Sequence, residues 1–220
     1  MDKMIWTTYR VEWTFLTKLC ASVPADPEIV AKWLESRQPK VKPAGGKSIT
    51  EIQEEVFETL AEVEAPPSLL VFQRVNGGLA QRAATVRAHI KDCARVLSAQ
   101  YIGKIKGERS FATRVVNGVY LDETQYWLPI LRPEGGPVKE ADGRKDKAVH
   151  ARGPTGQPIN ALKSFEYIEP AKLEFTLKVL GQSVQLSDLE TLFQYGGVHG
   201  YGGERGDGEG KYIYRIEAEL

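Results

Sequence analysis

The sequence SDLETLFQYGGVHGYGGERGDGEGKYIYRIEAEL, residues 187–220, decides how the rest of the chain is interpreted, because it combines a helix, a glycine-rich loop and a strand. Ser187 and Glu190 have the spacing of a capping box, which indicates a helix start at Ser187. Apolar residues then follow at helical spacing, and Gly196 is predicted to end the helix in the left-handed conformation that glycine adopts freely.

Glycine dominates residues 196–210, where it fills eight of fifteen positions. Because glycine loses more conformational entropy on folding than any other residue, a merely structural loop seldom needs so many. Two interpretations fit this composition: backbone N–H groups that meet an anionic or planar ligand, or a mobile loop with no ligand. Residues 211–219 alternate between apolar and polar, which predicts a final strand.

Charge and cysteine content bound the class of protein. The 220 residues contain 29 Lys and Arg against 29 Asp and Glu, so any attraction to nucleic acid or membrane must rest on local segregation of charge. The two cysteines, Cys20 and Cys93, lie in apolar or helical sequence, which favours a reducing compartment. The sequence has no signal-peptide core and no apolar run of membrane-spanning length, so we expect a cytoplasmic protein without a membrane partner.

Hydrophobic periodicity predicts an α+β fold. Half-buried or buried strands are predicted over residues 8–16, 81–88, 115–121, 125–131, 159–168 and 172–179, and helices over residues 26–37, 49–63 and 90–100. If residues 26–64 are a helical insertion and residues 133–157 a long loop insertion rich in Gly, Pro and charge, the remaining order is a repeated βαβ unit, the ferredoxin-like pattern. We therefore expect one elaborated ferredoxin-like domain over residues 1–220.

Positive charge is concentrated between Arg74 and Arg114. This segment of 41 residues contains nine basic and two acidic residues, a net charge of +7. In the predicted helix, Lys91 lies in the first turn and Arg95 lies one turn later on the same side. A cation at a helix start is disfavoured by the helix dipole unless it has an anionic partner, which favours Lys91 as part of an anion site. The alternative is that both side chains point into water.

Two short segments, one near the predicted helix start and one near the C-terminus, form a pair of motifs. In VRAHIKDCAR, residues 86–95, a small-residue turn precedes a lysine and an arginine of the helix. In GYGGERGDGEGKY, residues 200–212, a glycine-rich loop that also carries three acidic residues precedes the last strand. Together these segments resemble the RAMP superfamily, the RNA-binding subunits of CRISPR effector complexes.

The resemblance implies a ferredoxin-like, RRM-like RAMP domain that binds guide or single-stranded RNA. Such a domain is either free-standing, as in bacteriophage relatives, or has protein partners in a CRISPR-type ribonucleoprotein of a bacterial or phage-infected host. The implied RNA-binding residues are Arg87, Lys91, Arg95, Gly200, Tyr201, Gly202, Gly203, Arg205 and Lys211. Their cations would neutralise phosphates, the glycine amides would meet phosphate, and Tyr201 would stack on a base.

Two other functions stay open. Catalytic members of the superfamily cleave RNA without a metal. The expected fold would bring His89 and His199 near one another and beside Lys91, and these are the groups that a metal-independent endoribonuclease would use. The other possibility is a protein-interaction scaffold that keeps the fold without the ligand. Metal-ligand spacing is absent from the sequence, so we expect no metal and no cofactor.

Overall fold

The computed structural model describes residues 5–26, 69–100, 110–152, 158–181 and 184–219. These residues form an α+β structure with two β-sheets and three α-helices, and the α+β prediction is confirmed. The strands are β1 (Trp6–Phe15), β2 (Leu19–Cys20), β3 (Val23–Pro24), β4 (Leu69–Val71), β5 (Gln73–Val75), β6 (Gly78–Arg82), β7 (Val119–Leu121), β8 (Trp127–Leu131), β9 (Gly143–Arg152), β10 (Pro158–Ile168), β11 (Lys172–Leu180) and β12 (Tyr212–Glu219). The helices are α1 (Ala83–Gln100), α2 (Phe111–Gly118) and α3 (Leu186–His199). The helical insertion predicted over residues 26–64 lies, beyond Asp26, outside the described residues.

Seven strands form the main sheet, in the order β12-β1-β11-β8-β6-β5, with β7 also paired to β11. β1 is antiparallel to both of its neighbours, and Trp13 stands opposite Leu173 of β11 and Tyr214 of β12. β7 and β8 are antiparallel to successive parts of β11. β12 therefore lies at one edge of this antiparallel sheet, and β1 lies directly beside it.

One face of this sheet carries the hydrophobic core. The alternation of β1 buries Val11 and Trp13 completely, as its period of two predicts. The Trp13 ring contacts Phe175 at 4.9 Å, Phe193 at 5.8 Å and Tyr212 at 4.3 Å between centroids. Each such aromatic pair contributes about 0.5–1.5 kcal/mol beyond its buried area, so Trp13 joins β11, α3 and β12 into one unit.

The opposite face of the sheet is charged and internally neutralised. Arg10 pairs with Glu174 at 3.0 Å, and Lys172 pairs with Glu174 at 2.9 Å and with Glu12 at 3.3 Å. These pairs, within β11 and between β1 and β11, leave the face polar without an excess of either sign at this position.

A second sheet has the order β2-β10-β4-β3, and β9 forms a long antiparallel hairpin with β10. The loop insertion predicted over residues 133–157 is therefore wrong across Gly143–Arg152, which forms β9. The prediction failed because the described side chains of β9 are exposed or half-buried on both faces. Such a strand lacks the apolar alternation on which recognition of a strand depends.

The N-cap of helix α3 lies two residues earlier than predicted. The carboxylate of Asp188 accepts a hydrogen bond from the backbone N–H of Gln185 at 3.0 Å, so Gln185 and not Ser187 is the N-cap. The reciprocal geometry is that of a capping box, shifted by two residues from the predicted pair of Ser187 and Glu190.

Helix α3 also continues past Gly196, the residue predicted to end it. It ends at His199, and Gly200, with φ of 83°, caps it by donating to the carbonyl of Gly196 at 2.9 Å. A Cβ atom at Gly196 would touch the Tyr212 hydroxyl and lie 3.0 Å from Nε2 of His89. Glycine is therefore used at position 196 for close packing, not for chain reversal.

Helix α1 begins at Ala83, directly after β6, so the strand predicted over residues 81–88 is wrong beyond Arg82. The buried side chains of Val86, Ile90 and Leu97 form the apolar stripe that places this segment in a helix. The strand predicted over residues 115–121 is likewise helical up to Gly118.

Candidate nucleic-acid interface

Three cations lie at four-residue intervals along α1: Arg87, Lys91 and Arg95. This spacing puts them on one side of the helix, and Arg95 is exposed while the other two are half-buried. Within the described residues, no carboxylate forms an ion pair with any of the three. We call Arg87, Lys91 and Arg95 the basic helix surface.

The first of these cations is held in place by its neighbours. The Arg87 guanidinium lies 4.4 Å from the centroid of the Tyr120 ring and donates to the carbonyl of Val116 at 3.3 Å. An arginine fixed over an aromatic ring loses less side-chain entropy when it binds an anion than a free one does.

Lys91 experiences the field of its two neighbours. Burial lowers the pKa of the Lys91 ammonium below its ordinary value, and Arg87 and Arg95 lower it further. Among the residues that the structure describes, no carboxylate forms an ion pair that would compensate this repulsion among the three cations. An anion that approaches the basic helix surface would relieve it.

Lys91 does not lie at a helix start, and that part of the sequence interpretation is wrong. Because α1 begins at Ala83, Lys91 is in the third turn, beyond the reach of the helix N-terminal dipole. The case for Lys91 rests instead on its position between Arg87 and Arg95.

Asp92, the acidic residue beside Lys91 in sequence, interacts with a different part of the molecule. Its Oδ2 lies 3.5 Å from Nη1 of Arg205 and 3.7 Å from Nε2 of His199. The same Arg205 nitrogen donates to His199 Nε2 at 3.0 Å, which requires Nε2 to act as the acceptor. Asp92 therefore links α1 to the glycine-rich loop and neutralises Arg205.

Several glycines of residues 200–210, though not Gly206, are required by close contacts with the chain itself. A Cβ atom at Gly203 would lie 2.5 Å from the carbonyl oxygen of Ala21, and one at Gly202 would lie 2.9 Å from that of Cys20. A Cβ at Gly200 would lie 2.5 Å from the carbonyl oxygen of Glu209 within the loop. The backbone that comes close to this loop is the segment after β1 and the loop's own return.

Most of the loop amides are also engaged within the chain. Those that donate to oxygen atoms of the protein belong to Gly200, Tyr201, Gly203, Asp207, Gly208, Glu209, Gly210 and Lys211. Among these bonds, Gly203 donates to the carbonyl of Cys20, and Gly210 to that of Lys18, both at 2.9 Å. The predicted backbone cradle for phosphate is therefore occupied largely by the protein.

Tyr201 is part of the core and does not present its ring to solvent. Its side chain is 3% exposed, and its hydroxyl lies 2.6 Å from that of Thr85 and 3.4 Å from Oε1 of Gln81. The prediction that Tyr201 stacks on a base is wrong for this conformation, because the ring already packs against Trp13.

The acidic residues of the loop bind the β9–β10 hairpin. The half-buried Glu204 pairs with Lys163 and, at 3.1 Å, with Lys147, while Asp207 reaches Lys147 at 2.5 Å. Lys147 and Lys163 stand opposite each other in the ladder, so Glu204 neutralises two like charges that would otherwise repel. These residues were not identified from the sequence, because the hairpin itself was not.

The structure brings His89 and His199 together, with ring centroids 6.2 Å apart and the rings nearly parallel. His89, however, is 6% exposed, and its Nε2 lies 3.1 Å from the Tyr212 hydroxyl. Burial lowers the pKa of His89 to about 3, and Arg205 and His199 act in the same direction. His89 is thus a neutral buried group, which does not suit a general acid working near neutral pH.

Of the remaining predicted residues, Lys211 is exposed at the start of the last strand, and its N–H donates to the Thr17 hydroxyl at 3.0 Å. The described residues contain no cluster of three or more His, Cys, Asp or Glu side chains able to hold a metal ion. Among the same residues, no helix is long and apolar enough to cross a membrane.

Comparison with known proteins finds distant similarity among solved structures. No protein-family model matches the chain, and no curated protein matches it. Among solved structures, a chain in the cryo-EM structure of the Type III-B Cmr-beta bound to cognate target RNA is similar, with 10% sequence identity and a TM-score of 0.46. The likeness covers 98% of this chain and 61% of that one, so this chain spans less than two thirds of the neighbour's length. That TM-score does not establish a shared topology, and the function is therefore inferred from the residues of this chain.

Proposed function

We propose that this protein binds single-stranded RNA through phosphate contacts along the basic helix surface. The observation that carries the proposal is a row of three cations, Arg87, Lys91 and Arg95, with no carboxylate partner among the described residues. By contrast, Arg10, Lys147 and Arg205 are each paired with an acid. Cations four residues apart on a helix suit a row of phosphates, each of which releases counterions when neutralised.

The proposal includes a ferredoxin-like fold of the RAMP type. Along the chain, these elements follow one another in the order β1, α1, β7 and β8, β11, α3 and β12. In the sheet, the strands have the order β12-β1-β11, and β7 and β8 both pair with the far side of β11. That antiparallel order is the one a split βαβ arrangement gives, which supports the ferredoxin-like assignment. The resemblance of residues 86–95 and 200–212 to RAMP proteins supports RNA as the polyanion.

The same resemblance gives the expected setting, a CRISPR-type ribonucleoprotein. The chain either serves as one of its subunits or interferes with its assembly, and in both cases protein partners accompany the RNA. The packed glycine-rich loop has a supporting role here: it fixes Arg205 and Asp92 and so keeps acidic charge away from the basic helix surface.

Fluorescence anisotropy with a labelled single-stranded RNA of about 20 nucleotides tests the proposal. Each cation that contacts a phosphate contributes about 0.7 to the slope of log affinity against log salt concentration. We expect Lys91→Gln to reduce the slope by about 0.7, and the triple variant R87Q/K91Q/R95Q to reduce it by about 2. Lys178→Gln, which removes a lysine paired with Asp122 at 3.4 Å, is the matched control and should leave the slope unchanged.

An unchanged salt slope in the triple variant would remove the basic helix surface from the site. Phenol extraction of the purified wild-type protein identifies the natural polyanion. We expect material sensitive to ribonuclease and resistant to deoxyribonuclease. Recovery of DNA, or of no nucleic acid together with no binding of the labelled RNA, would reject RNA binding and favour the scaffold alternative.

A further inference from the structure

A pocket of about 460 Å³ opens where the β9–β10 hairpin meets β5 and the turn between β5 and β6. Its lining includes three cations, Arg74, Lys139 and Arg144, and two carboxylates, Glu140 and Glu166. No residue of α1 lines it, so this pocket is separate from the basic helix surface.

Glu166 is the buried charge at the base of the pocket, with 2% of its surface exposed. It stands directly opposite Arg144 in the β9–β10 ladder. Its Oε2 accepts a hydrogen bond from the backbone N–H of Phe72 at 3.1 Å, and its Oε1 lies 3.3 Å from Arg74 and 3.7 Å from Arg144. The Glu166 carboxylate is therefore already engaged by the protein, and it orients two guanidinium groups toward one place.

The two arginines differ in how firmly they are held. Arg74 donates to the carbonyl of Phe72 and to Glu166, both at 3.3 Å, which fixes its guanidinium plane. Arg144 is 51% exposed, and its contact with Glu166 is longer than a hydrogen bond. Because a guanidinium carries five N–H donors, both groups keep donors for a ligand.

The charge balance of the pocket favours an anionic ligand. Lys139 is exposed on the rim and adds a third cation to the two arginines. Glu166 is neutralised by its own contacts, so the exposed Glu140 is the acidic group that opposes an incoming anion. A cation, by contrast, would meet three positive side chains.

We propose that this pocket binds a phosphate group, held by Arg144 and Lys139 and oriented by Arg74. Guanidinium forks match phosphate oxygens two at a time, and lysine adds a point charge to the third oxygen. The phosphate belongs either to a free nucleotide-like phosphomonoester or to an internal phosphodiester of a nucleic acid. Neither source depends on RNA binding by the basic helix surface.

Isothermal titration calorimetry with AMP, the dinucleotide ApA and adenosine distinguishes the two sources. We expect AMP or ApA to bind with a Kd of about 1 mM or tighter and adenosine to give no saturable heat. Arg144→Gln should weaken that binding at least about tenfold, because it removes a charge-assisted contact. Lys139→Gln, on an exposed side chain, is a second variant with the same expected direction.

Two further variants test the direction of the charge effect on phosphate binding and provide a control. Glu140→Gln should tighten phosphate binding roughly threefold, because it removes the opposing charge. Lys145→Gln is the control: it removes one positive charge, as Lys139→Gln does, at the residue next to Arg144. Because neighbouring residues of a strand point to opposite faces, it should leave binding unchanged.

Binding of AMP alone supports a free phosphomonoester, and binding of ApA supports a nucleic-acid phosphate. Equal heats for AMP and adenosine, no saturable binding of either phosphate, or equal losses in Lys145→Gln and Arg144→Gln would overturn the proposal. The triple variant R87Q/K91Q/R95Q should keep its AMP or ApA binding to this pocket. The failure of one proposal is therefore distinguishable from the failure of the other.

Discussion

Replacing Gly203 with alanine tests whether the glycines of the loop serve the packing of the chain itself. A Cβ atom at this position would lie 2.5 Å from the carbonyl oxygen of Ala21, a backbone atom that has no rotamer by which to move away. The N–H of Gly203 is bonded to the carbonyl of Cys20 at 2.9 Å, so the loop is anchored at the point of collision. Overpacking of this kind lowers the free energy of unfolding by about 1–3 kcal/mol. For a chain of 220 residues, this corresponds to a fall in Tm of about 2–12 °C.

Gly206 is the matched control in the same loop. A Cβ atom there would meet nothing within 4 Å, and its φ lies outside the left-handed region. Alanine at position 206 should therefore leave stability unchanged or raise it by up to about 1 kcal/mol, because it restricts the unfolded chain. Urea unfolding, followed by the fluorescence of buried tryptophan, measures both variants.

The two alanine variants also separate the two interpretations of the loop. If the glycines serve a ligand instead, Gly206→Ala should lose RNA affinity while it remains folded, and Gly203→Ala should unfold like the wild type. Wild-type stability in Gly203→Ala, or a larger loss in Gly206→Ala, would refute the packing account.

Two predictions concern buried charge. Because burial lowers the pKa of His89 from 6.5 to about 3, the unfolded state binds a proton that the folded state does not. Stability should therefore fall as the pH drops below about 6.5, by up to about 1.4 kcal/mol per pH unit from this group. His89→Gln should flatten that dependence in urea unfolding, and an unchanged slope contradicts the assignment. Glu204→Gln removes the acidic partner of Lys147 and Lys163, so it should lower the free energy of unfolding by about 1–3 kcal/mol in the same assay. The control, Glu123→Gln on the exposed surface, should change that free energy by less than about 0.5 kcal/mol. Equal effects of the two glutamine variants would show that the hairpin is held by other contacts.

The strands of the main sheet were predictable where a single face is buried. β1 and β11 have strict alternation, and the predicted bounds, residues 8–16 and 172–179, lie within two residues of Trp6–Phe15 and Lys172–Leu180. A register shift by one residue would expose Trp13 and bury Arg10, so the alternation allows only one assignment of the buried face. β9, whose two faces are both polar, carries no such information.

The glycines were harder to interpret, because the same residue satisfies two different demands. Gly196 stands after an apolar helical segment, as a helix-ending glycine does, yet it lies inside α3 against Tyr212 and His89. Only the position of β12 in three dimensions distinguishes the two cases. The meeting of His89 with His199 followed from the expected fold, but the burial that makes His89 chemically inert did not, since it depends on Tyr212 and Trp13.

The distribution of paired charge is what connects the packed loop to the proposed RNA surface. In a chain whose positive and negative side chains are equal in number, cations without an acidic partner among the described residues leave acids to be paired elsewhere. Glu204 and Asp207 are held by the β9–β10 hairpin, and Asp92 is turned to Arg205 and His199. Asp92, the neighbour of Lys91 in sequence, is therefore paired with a group other than Lys91. Under the proposed function, carboxylates that are paired in this way oppose the approach of a phosphate to the basic helix surface less than unpaired ones would.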